Sequence, residues 1–315
     1  MRIAIYGTGG VGGYFGTRLA HAGNEVFFVA RGQHLEAMRQ NGLMLKSEKG
    51  DVLIQPVHAS ANPADFGQVD LVLICTKTWQ LPDVAQHLAP LLHDATVVVP
   101  LQNGVEAADQ LAAVIDRRHI VGGIAKIFCY IAAPGVIEQF GPITAITLGE
   151  FDNRPSSRLD AIHAVLEDAN ITVERPDDMQ RALWEKFMFV VSLGGVGSVT
   201  RMPIGMFRQH PLTRQMLRDC VSEIYHVGLA HGVALLPESI EMVMRFVDAQ
   251  PDHATSSLQR DIIAGKPSEL EAWNGAVVRL GQQVNVPTPT HSFIYTSLLL
   301  QEHQARANAE SSKQA

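Results

Sequence analysis

Apolar and polar positions in the first half of the chain follow a repeated order of buried strand, polar loop and helix. The clearest strands are the continuous apolar runs at residues 71–75 and 96–101, and each is followed by polar residues and a helical segment. This order predicts a mostly parallel sheet covered on both faces. Ligands of such sheets bind outside the carboxyl ends of the strands.

The second half changes to helical spacing after a break at residues 175–178. The pattern predicts further strands at 25–30, 42–46, 52–57, 121–131, 135–140, 145–149 and 171–174, and helices at 11–22, 34–41, 82–92, 159–168, 181–193, 212–231, 237–249, 270–284 and 292–305. The predicted fold class is therefore an α/β Rossmann-type dinucleotide-binding domain at 1–177, followed by an all-helical C-terminal domain at 178–305. The polar residues 306–315 are expected to form a disordered tail.

A glycine fingerprint follows the first strand directly. Gly7, Gly9 and Gly12 form G-x-G-x-x-G between a buried strand and a helix, which is the setting in which this motif binds a pyrophosphate. The expected cofactor-binding residues of this loop are Gly7, Thr8, Gly9, Gly10, Val11 and Gly12. The alternative is that these glycines form only a tight turn.

Arg31 stands at the end of the second strand, where a chain that selects NAD presents an acidic residue to the ribose 2′-hydroxyl. A guanidinium can instead form charge-assisted bonds with a 2′-phosphate. The expected cofactor is therefore NADP (NADPH), unless Arg31 is only a solvated surface charge.

Composition excludes several classes of protein. The chain has 315 residues, 25 Lys and Arg against 32 Asp and Glu, and a net charge of −7, without a long basic run. These values argue against a nucleic-acid or membrane-surface partner. Three scattered cysteines suggest neither a disulfide framework nor a zinc site, and no stretch is typical of a membrane helix or signal peptide, so we expect a cytoplasmic location and no metal.

Lys186 is the candidate proton donor of the helical half. Apolar residues surround it on nearly every face of its predicted helix, so its charge needs a partner or a purpose. A partly desolvated lysine can protonate a carbonyl oxygen as hydride arrives at the carbon. The alternative is that Lys186 reaches the surface or pairs with a carboxylate such as Glu185. Downstream, residues 254–275 indicate only that a hydroxyl and a carboxylate could face one cleft, since Ser268 could be an N-cap and the other serines could cap a preceding turn.

Taken together, these motifs resemble those of the ketopantoate reductase family, the NADP-dependent 2-dehydropantoate 2-reductases, from about residue 1 to 300. The resemblance is carried by the glycine motif, Arg31, Thr76-Lys77-x-Trp79-Gln80, Gln102-Asn103-Gly104, Leu183-Trp184-x-Lys186, and Ser256-Ser257 with Asp261 and Glu269. It implies that Lys186 is the general acid, Ser257 a substrate-binding residue and Glu269 the carboxylate of the closed site. It also implies that Asn103 touches cofactor and substrate, and that Lys77 assists Arg31 near the adenosine phosphate.

The chain departs from the family pattern at Val190 and Gly194, where family members often carry asparagines that touch the substrate. We therefore expect a small anionic 2-oxo acid as the partner, with ketopantoate the leading candidate and its exact identity open. The alternatives are a reductase of a different 2-oxo acid and a non-catalytic NADP-binding sensor. The sequence leaves open the hydride stereochemistry, a homodimeric assembly and the pathway partners.

Overall fold

The computed structural model describes residues 1–314, with side chains placed through Ser311. The chain divides into two compact units, one formed by Met1–Gln102 and Glu106–Met179 and the other by Asn103–Val105 and the residues from Gln180 onward. The strands are β1 (Arg2–Tyr6), β2 (Glu25–Val29), β3 (Leu43–Lys46), β4 (Val52–Ile54), β5 (His58–Ser60), β6 (Leu71–Ile74), β7 (Val97–Pro100), β8 (Gly122–Ala133), β9 (Val136–Gly149) and β10 (Thr172–Glu174). The α-helices are α1 (Gly10–His21), α2 (Gly32–Asn41), α3 (Leu81–Gln86), α4 (Ala107–Ala112), α5 (Ser157–Asp168), α6 (Met179–Thr200), α7 (Ile204–Gln209), α8 (Pro211–Ala230), α9 (Ser239–Asp248), α10 (Ser257–Ile263), α11 (Ala276–Gln283) and α12 (Pro289–Gln314).

The first unit contains the predicted parallel sheet, with strand order β5-β2-β1-β6-β7. Neighbouring residues of its central strands belong to different cores: Ile3 and Ile5 pack on one face, whereas Ala4 and Tyr6 pack on the other. Burial on both faces explains why these strands are continuous apolar runs. Together with the helical second unit, this sheet confirms the predicted fold class.

The later strands form a separate mixed sheet. In it β9 pairs antiparallel with β8 and parallel with β3 and β10, while β4 pairs antiparallel with β3. A tight turn at Gly135, whose φ is +77°, reverses the chain between β8 and β9. The alternation of strand and helix therefore predicts the parallel sheet correctly but does not account for this second sheet.

Two predicted strands, 135–140 and 145–149, form the single strand β9. Its pairing with β8 jumps from Ile127–Thr144 to Phe128–Phe140, so residues 141–143 bulge out of the ladder. Gly141, at φ +79°, and the proline after it mark this bulge, and they make the sequence look like a break between strands.

The helical unit surrounds α6, whose residues Phe187, Met188, Val191 and Val196 are buried in its core. By length and composition alone α6 could cross a membrane, in contrast to the expectation from the sequence, but 61% of its apolar window is buried inside the protein. The hydropathy of α6 is therefore accounted for by its central position in this unit.

Several helix boundaries differ from the prediction. The helix expected at 82–92 ends as α3 at Gln86, and a short 3₁₀ turn, Ala89–Leu91, contains Pro90, which cannot donate the hydrogen bond that would continue the helix. The helix expected at 270–284 begins with a π-helical turn, Glu271–Gly275, before α11. The short helices α7 and α10 were not predicted.

The expected disordered tail is corrected over most of its length, because α12 continues to Gln314. Arg306 explains the continuation: it forms an ion pair with Glu302 and donates to the carbonyl of Ser268, which ties the start of this segment to the unit. Ala315, the last residue of the predicted tail, lies outside the described residues.

Candidate active site

The glycine loop joins β1 to α1 with the close packing that the motif predicts. Gly7 has φ +98°, and a Cβ on it would lie 2.6 Å from Thr76 Cγ2. A Cβ on Gly12 would lie 2.8 Å from Ile5 Cγ2 and would run into the carbonyl oxygen of Gly7. Both positions therefore exclude a side chain.

Gly9 differs from these two glycines because a Cβ there would meet nothing within 4 Å. Gly9 is also the N-cap of α1, and its helix start has no side-chain cap and no acidic residue in the first turn. The first-turn N–H groups are thus not capped by a side chain, and backbone can be approached closely at Gly9. This arrangement fits a pyrophosphate at the helix N-terminus.

Two cysteines flank the loop without adding charge to it. A Cβ on Gly12 would lie 3.0 Å from Cys75 Cβ, and a Cβ on Gly10 would lie 2.8 Å from the Cys129 carbonyl oxygen. Burial raises the pKa of Cys129 to about 12 and raises that of Cys75 still further. Both thiols therefore stay protonated, and neither repels an anion at the loop.

Arg31 follows β2 and is the N-cap of α2, with an exposed side chain. Its guanidinium lies 3.3 Å from the carboxylate of Asp83, which also lies 3.5 Å from His87 Nδ1. The pKa of Tyr6 is raised, mainly by burial. The positive charge of Arg31 opposes this shift and the negative charge of Asp83 adds to it, so both charges act on the Tyr6 hydroxyl. The sequence suggested Arg31 but gave no signal for Asp83, which comes from α3.

Lys77 follows β6 at the same edge of the sheet, since Tyr6 of β1 pairs with Ile74 and Ile74 with Pro100 of β7. Its ammonium lies 5.8 Å from the centre of the exposed Trp79 ring. Gln102 is buried after β7, and its amide donates to the carbonyls of Ile74 and Thr76, both at 3.0 Å. Gln102 therefore holds the loop that carries Lys77.

His34 is a residue near the loop that the sequence did not suggest. It is half-buried, and its Nδ1 accepts a hydrogen bond of 3.0 Å from the Gly135 amide in the turn between β8 and β9. Burial lowers the pKa of His34, which keeps the ring neutral, and the nearby Thr8 backbone opposes part of that shift. His34 thus binds α2 to the turn of the second sheet, a contact that no local sequence pattern indicates.

Lys186 lies on α6 in the helical unit and is half-buried. Its neighbour Glu185 accepts a 2.9 Å hydrogen bond from Ser239 Oγ of α9. Lys186 thus lies on a largely buried helix, as its apolar surroundings in the sequence predict.

Asn103 belongs to the helical unit, together with Lys186, Ser257 and Glu269. Val105, two residues later, packs against the core of that unit, and a Cβ on Gly104 would lie 3.9 Å from the Ala272 carbonyl oxygen. The loop after β7 therefore packs near the turn that follows Glu269. The predicted site residues fall into two groups: the glycine loop, Arg31 and Lys77 in the first unit, and these four in the second.

The hydrogen bonds around Ser256, Ser257 and Ser268 show which of these serines cap a helix. Ser256 is the N-cap of α10, and its Oγ accepts from the Gln259 amide at 3.0 Å, whereas Ser257 is the half-buried first residue of that helix. Ser268 Oγ accepts from the Leu270 amide at 3.3 Å and donates to Glu302 at 2.5 Å. Ser256 is thus a helix cap, whereas Ser268 binds within the turn before the π-helix, whose N-cap is Leu270. Glu269, 7% exposed, follows Ser268 in that turn.

The departure at Gly194 has a physical cause in Trp273. A Cβ on Gly194 would lie 2.8 Å from Trp273 Cζ3, so the indole ring fills the space that a side chain would need. Val190, one turn earlier on α6, is half-buried and packs against the same core. This wall of the helical unit is therefore apolar where family members often carry amides.

The chain has thirteen histidines, but their spacing does not predict a metal site. Among the residues that the structure describes, no group of three or more His, Cys, Asp or Glu side chains could hold a metal ion.

Comparison with known proteins extends over both units. The family model described as "Ketopantoate reductase PanE/ApbA" matches residues 3–153, and its C-terminal counterpart matches residues 178–302. A 2-dehydropantoate 2-reductase from Mesorhizobium japonicum is 30% identical over 311 residues, which cover 92% of this chain and 94% of the relative. An uncharacterized oxidoreductase, YkpB, from Bacillus subtilis is 27% identical over 302 residues, covering 96% and 99% of the two chains.

A solved structure supports the same relationship. The PanE/ApbA family ketopantoate reductase from Ralstonia eutropha JMP134 superposes with a TM-score of 0.89 at 30% identity, covering 97% of this chain and 100% of that one. Since family models match both the strand-rich and the helical parts, the chain belongs to the ketopantoate reductase PanE/ApbA family of oxidoreductases.

Proposed function

We propose that this protein is a cytoplasmic NADPH-dependent reductase of a small 2-oxo acid, with ketopantoate as the leading substrate and pantoate as its product. The family match across both units is the observation that carries this proposal. The relative from Mesorhizobium japonicum is named for this reaction, and it spans nearly the whole chain.

The residues of the first unit fit the expected cofactor. The open space at Gly9 and the uncapped start of α1 suit a pyrophosphate, while Arg31 and Lys77 supply positive charge at the strand ends of the same sheet. When bound, NADPH would supply the hydride that reduces the carbonyl carbon. The absence of an acidic residue at the end of β2 favours NADPH over NADH.

The residues of the second unit are assigned the substrate chemistry. Lys186 donates a proton to the carbonyl oxygen, and its charge stabilises the alkoxide that develops there. Asn103 and Ser257 bind the polar groups of the acid, and the Glu269 carboxylate completes the closed site. A non-catalytic NADP-binding sensor would have no use for a half-buried lysine together with these residues. Lys186 therefore favours a reductase over a sensor.

A second candidate is a reductase of a different 2-oxo acid, and the packing at Gly194 favours it. Trp273 fills the space that a side chain at position 194 would need, and Val190 one turn earlier is apolar; the resemblance places asparagines at both positions in many family members. Each missing hydrogen bond costs about 0.5–1.5 kcal/mol of substrate binding. The apolar residues Val190 and Gly194 would therefore lower the selectivity for ketopantoate over other 2-oxo acids.

Lys186→Ala tests the assignment of the proton donor. We expect kcat to fall by about 10²–10⁴ while the Kd for NADPH stays nearly unchanged, since the lysine acts in the proton transfer. Steady-state rates and fluorescence titration with NADPH measure the two quantities.

Glu185→Gln is the matched control, since Glu185 lies beside Lys186 on α6 and binds Ser239. The control should keep its turnover. A Lys186→Ala protein that is folded and fully active on the best substrate would remove Lys186 from the mechanism, and one that unfolds would assign it a structural role.

A further inference from the structure

A buried ion pair on α12 holds the residue that precedes Glu269. Glu302 is 4% exposed, and its carboxylate accepts hydrogen bonds from the Ser268 amide at 3.0 and 3.1 Å and from Ser268 Oγ at 2.5 Å. Arg306, one turn later, lies 2.7 Å from Glu302 and donates to the Ser268 carbonyl at 3.0 Å. The N–H, hydroxyl and carbonyl of Ser268 are therefore all bound by the last helix.

This arrangement also fixes the backbone on the other side of Glu269. Ser268 and Leu270 are both 0% exposed, and the Leu270 amide donates to Ser268 Oγ. The Glu269 carbonyl accepts from the Trp273 amide at 3.0 Å, and the next carbonyl, that of Leu270, accepts the i+5 bond of the π-helical turn from the Gly275 amide at 3.0 Å. Glu269 thus follows a fully bound residue and starts a helical turn, so little freedom is left in its backbone.

Simple capping does not need a charged group here. A serine or asparagine supplies the same acceptor to a helix start, whereas a buried carboxylate incurs a desolvation cost and needs a partner. Arg306 provides that partner at 33% side-chain exposure. A buried ion pair is weak evidence for stability, but it can specify one conformation of the segment that it binds.

We propose that Glu302 and Arg306 are positioning residues for Glu269: they fix the Ser268–Leu270 turn so that the Glu269 carboxylate is presented to the substrate in one orientation. This inference rests on the proposed function, in which Glu269 belongs to the active site. It gives the C-terminal helix a role in the reaction, although neither residue touches the reacting atoms.

The test is a double-mutant cycle on the full-length protein, with turnover of the best 2-oxo acid as the readout. Glu302→Ala should lower kcat by about 10-fold to 100-fold, because misplacement of an active-site group from a distance has effects of that size. Glu302→Gln, which keeps an oxygen acceptor for Ser268, should recover part of the loss. In a Glu269→Ala background, Glu302→Ala should cause no further loss of kcat.

Glu223→Ala provides a matched control for lost stability. Glu223 caps the other end of α12, where its carboxylate accepts from the Thr290 and His291 amides at 2.7 and 3.0 Å. This variant should lower Tm but leave kcat close to that of the wild type below its melting temperature. Hydrogen exchange at the Ser268 and Leu270 amides should accelerate in Glu302→Ala and not in Glu223→Ala.

An undiminished effect of Glu302→Ala in the Glu269→Ala background would overturn the proposal, because the residue would then act independently of Glu269. Equal loss of kcat in Glu223→Ala would overturn it as well, in favour of general destabilisation. If Glu302→Ala does not fold, Glu302→Gln takes its place in the same cycle. A wild-type protein that reduces no 2-oxo acid would refute the proposed function and this inference together, whereas an active wild type with an additive cycle refutes this inference alone.

Discussion

Arg31 and Asp83 together define the charge at the point where the cofactor's 2′-phosphate is expected. The pair is exposed, with side-chain exposures of 62% and 52%, and its separation is 3.3 Å. Exposed pairs contribute about 0–1 kcal/mol, so Asp83 holds the guanidinium only weakly. A 2′-phosphate with nearly two negative charges can therefore displace Asp83 from Arg31.

We predict that Arg31→Ala weakens NADPH binding by about 1.5–3 kcal/mol and weakens NADH binding much less, because only NADPH offers the 2′-phosphate. Fluorescence titration of both cofactors measures the difference.

Asp83→Asn provides the complementary arm, since it removes the competing charge and keeps the shape of the side chain. It should tighten NADPH binding slightly and leave NADH unchanged. Equal affinity of the unmodified protein for the two cofactors would contradict the role assigned to Arg31.

At the scale of elements, α6 and the turn after Glu269 approach each other through Gly194 and Trp273. A Cβ on Gly194 would lie 2.8 Å from the indole ring, and the helix on either side is buried. We predict that Gly194→Ala destabilises the protein by about 1–3 kcal/mol through overpacking, measured by chemical denaturation.

Trp273→Leu should relieve this clash, so the double variant should be less destabilised than the sum of the two single variants. Strict additivity would show that the ring does not fill the space beside Gly194.

A second pair of elements, the end of β9 and α5, is joined by Glu150 and Arg158. The guanidinium makes two hydrogen bonds to the carboxylate, at 2.7 and 2.6 Å, and this bonding lowers the pKa of Glu150 despite its partial burial. A lowered folded-state pKa means that the pair stabilises the fold above the unfolded pKa of Glu, and that this contribution is lost as pH falls through the folded value.

We therefore predict that Arg158→Ala costs about 1 kcal/mol of unfolding free energy at neutral pH, since Arg158 is one-third exposed. The difference from the wild type should shrink below about pH 4. Urea denaturation at a series of pH values measures it, and a difference that grows on acidification would refute the assignment.

Local patterns predicted the elements that bury apolar residues at a regular period. The run from Leu71 to Ile74 became β6, and the change to helical spacing placed α6. Contacts between distant residues carry no such signal: β3 pairs with β9 through Met44 and Val136, and Glu302 binds Ser268. The same reason explains why Arg31 could be suggested from the sequence while its counter-ion Asp83 could not.

At the scale of the whole molecule, the chain combines a Rossmann-type unit and a helical unit, and each is matched by a family model. The loop Asn103–Val105 follows a strand of the first unit but belongs to the second. Within that second unit the loop packs near Ala272, in the turn after Glu269. The four residues assigned to the substrate chemistry thus lie in one unit, where they come from the loop after β7, α6, the start of α10 and the turn at Glu269.

The reductase assignment is tested most directly by the rate of NADPH oxidation by the wild-type protein with a panel of 2-oxo acids that includes ketopantoate, with NADH run in parallel. We predict that at least one small 2-oxo acid is reduced, with a higher kcat/KM for NADPH than for NADH, and that ketopantoate leads the panel. A higher rate with another 2-oxo acid would identify that acid as the substrate and would show that the apolar residues Val190 and Gly194 do not select ketopantoate. Tight binding of NADPH without turnover of any 2-oxo acid would contradict the reductase assignment and favour a sensor.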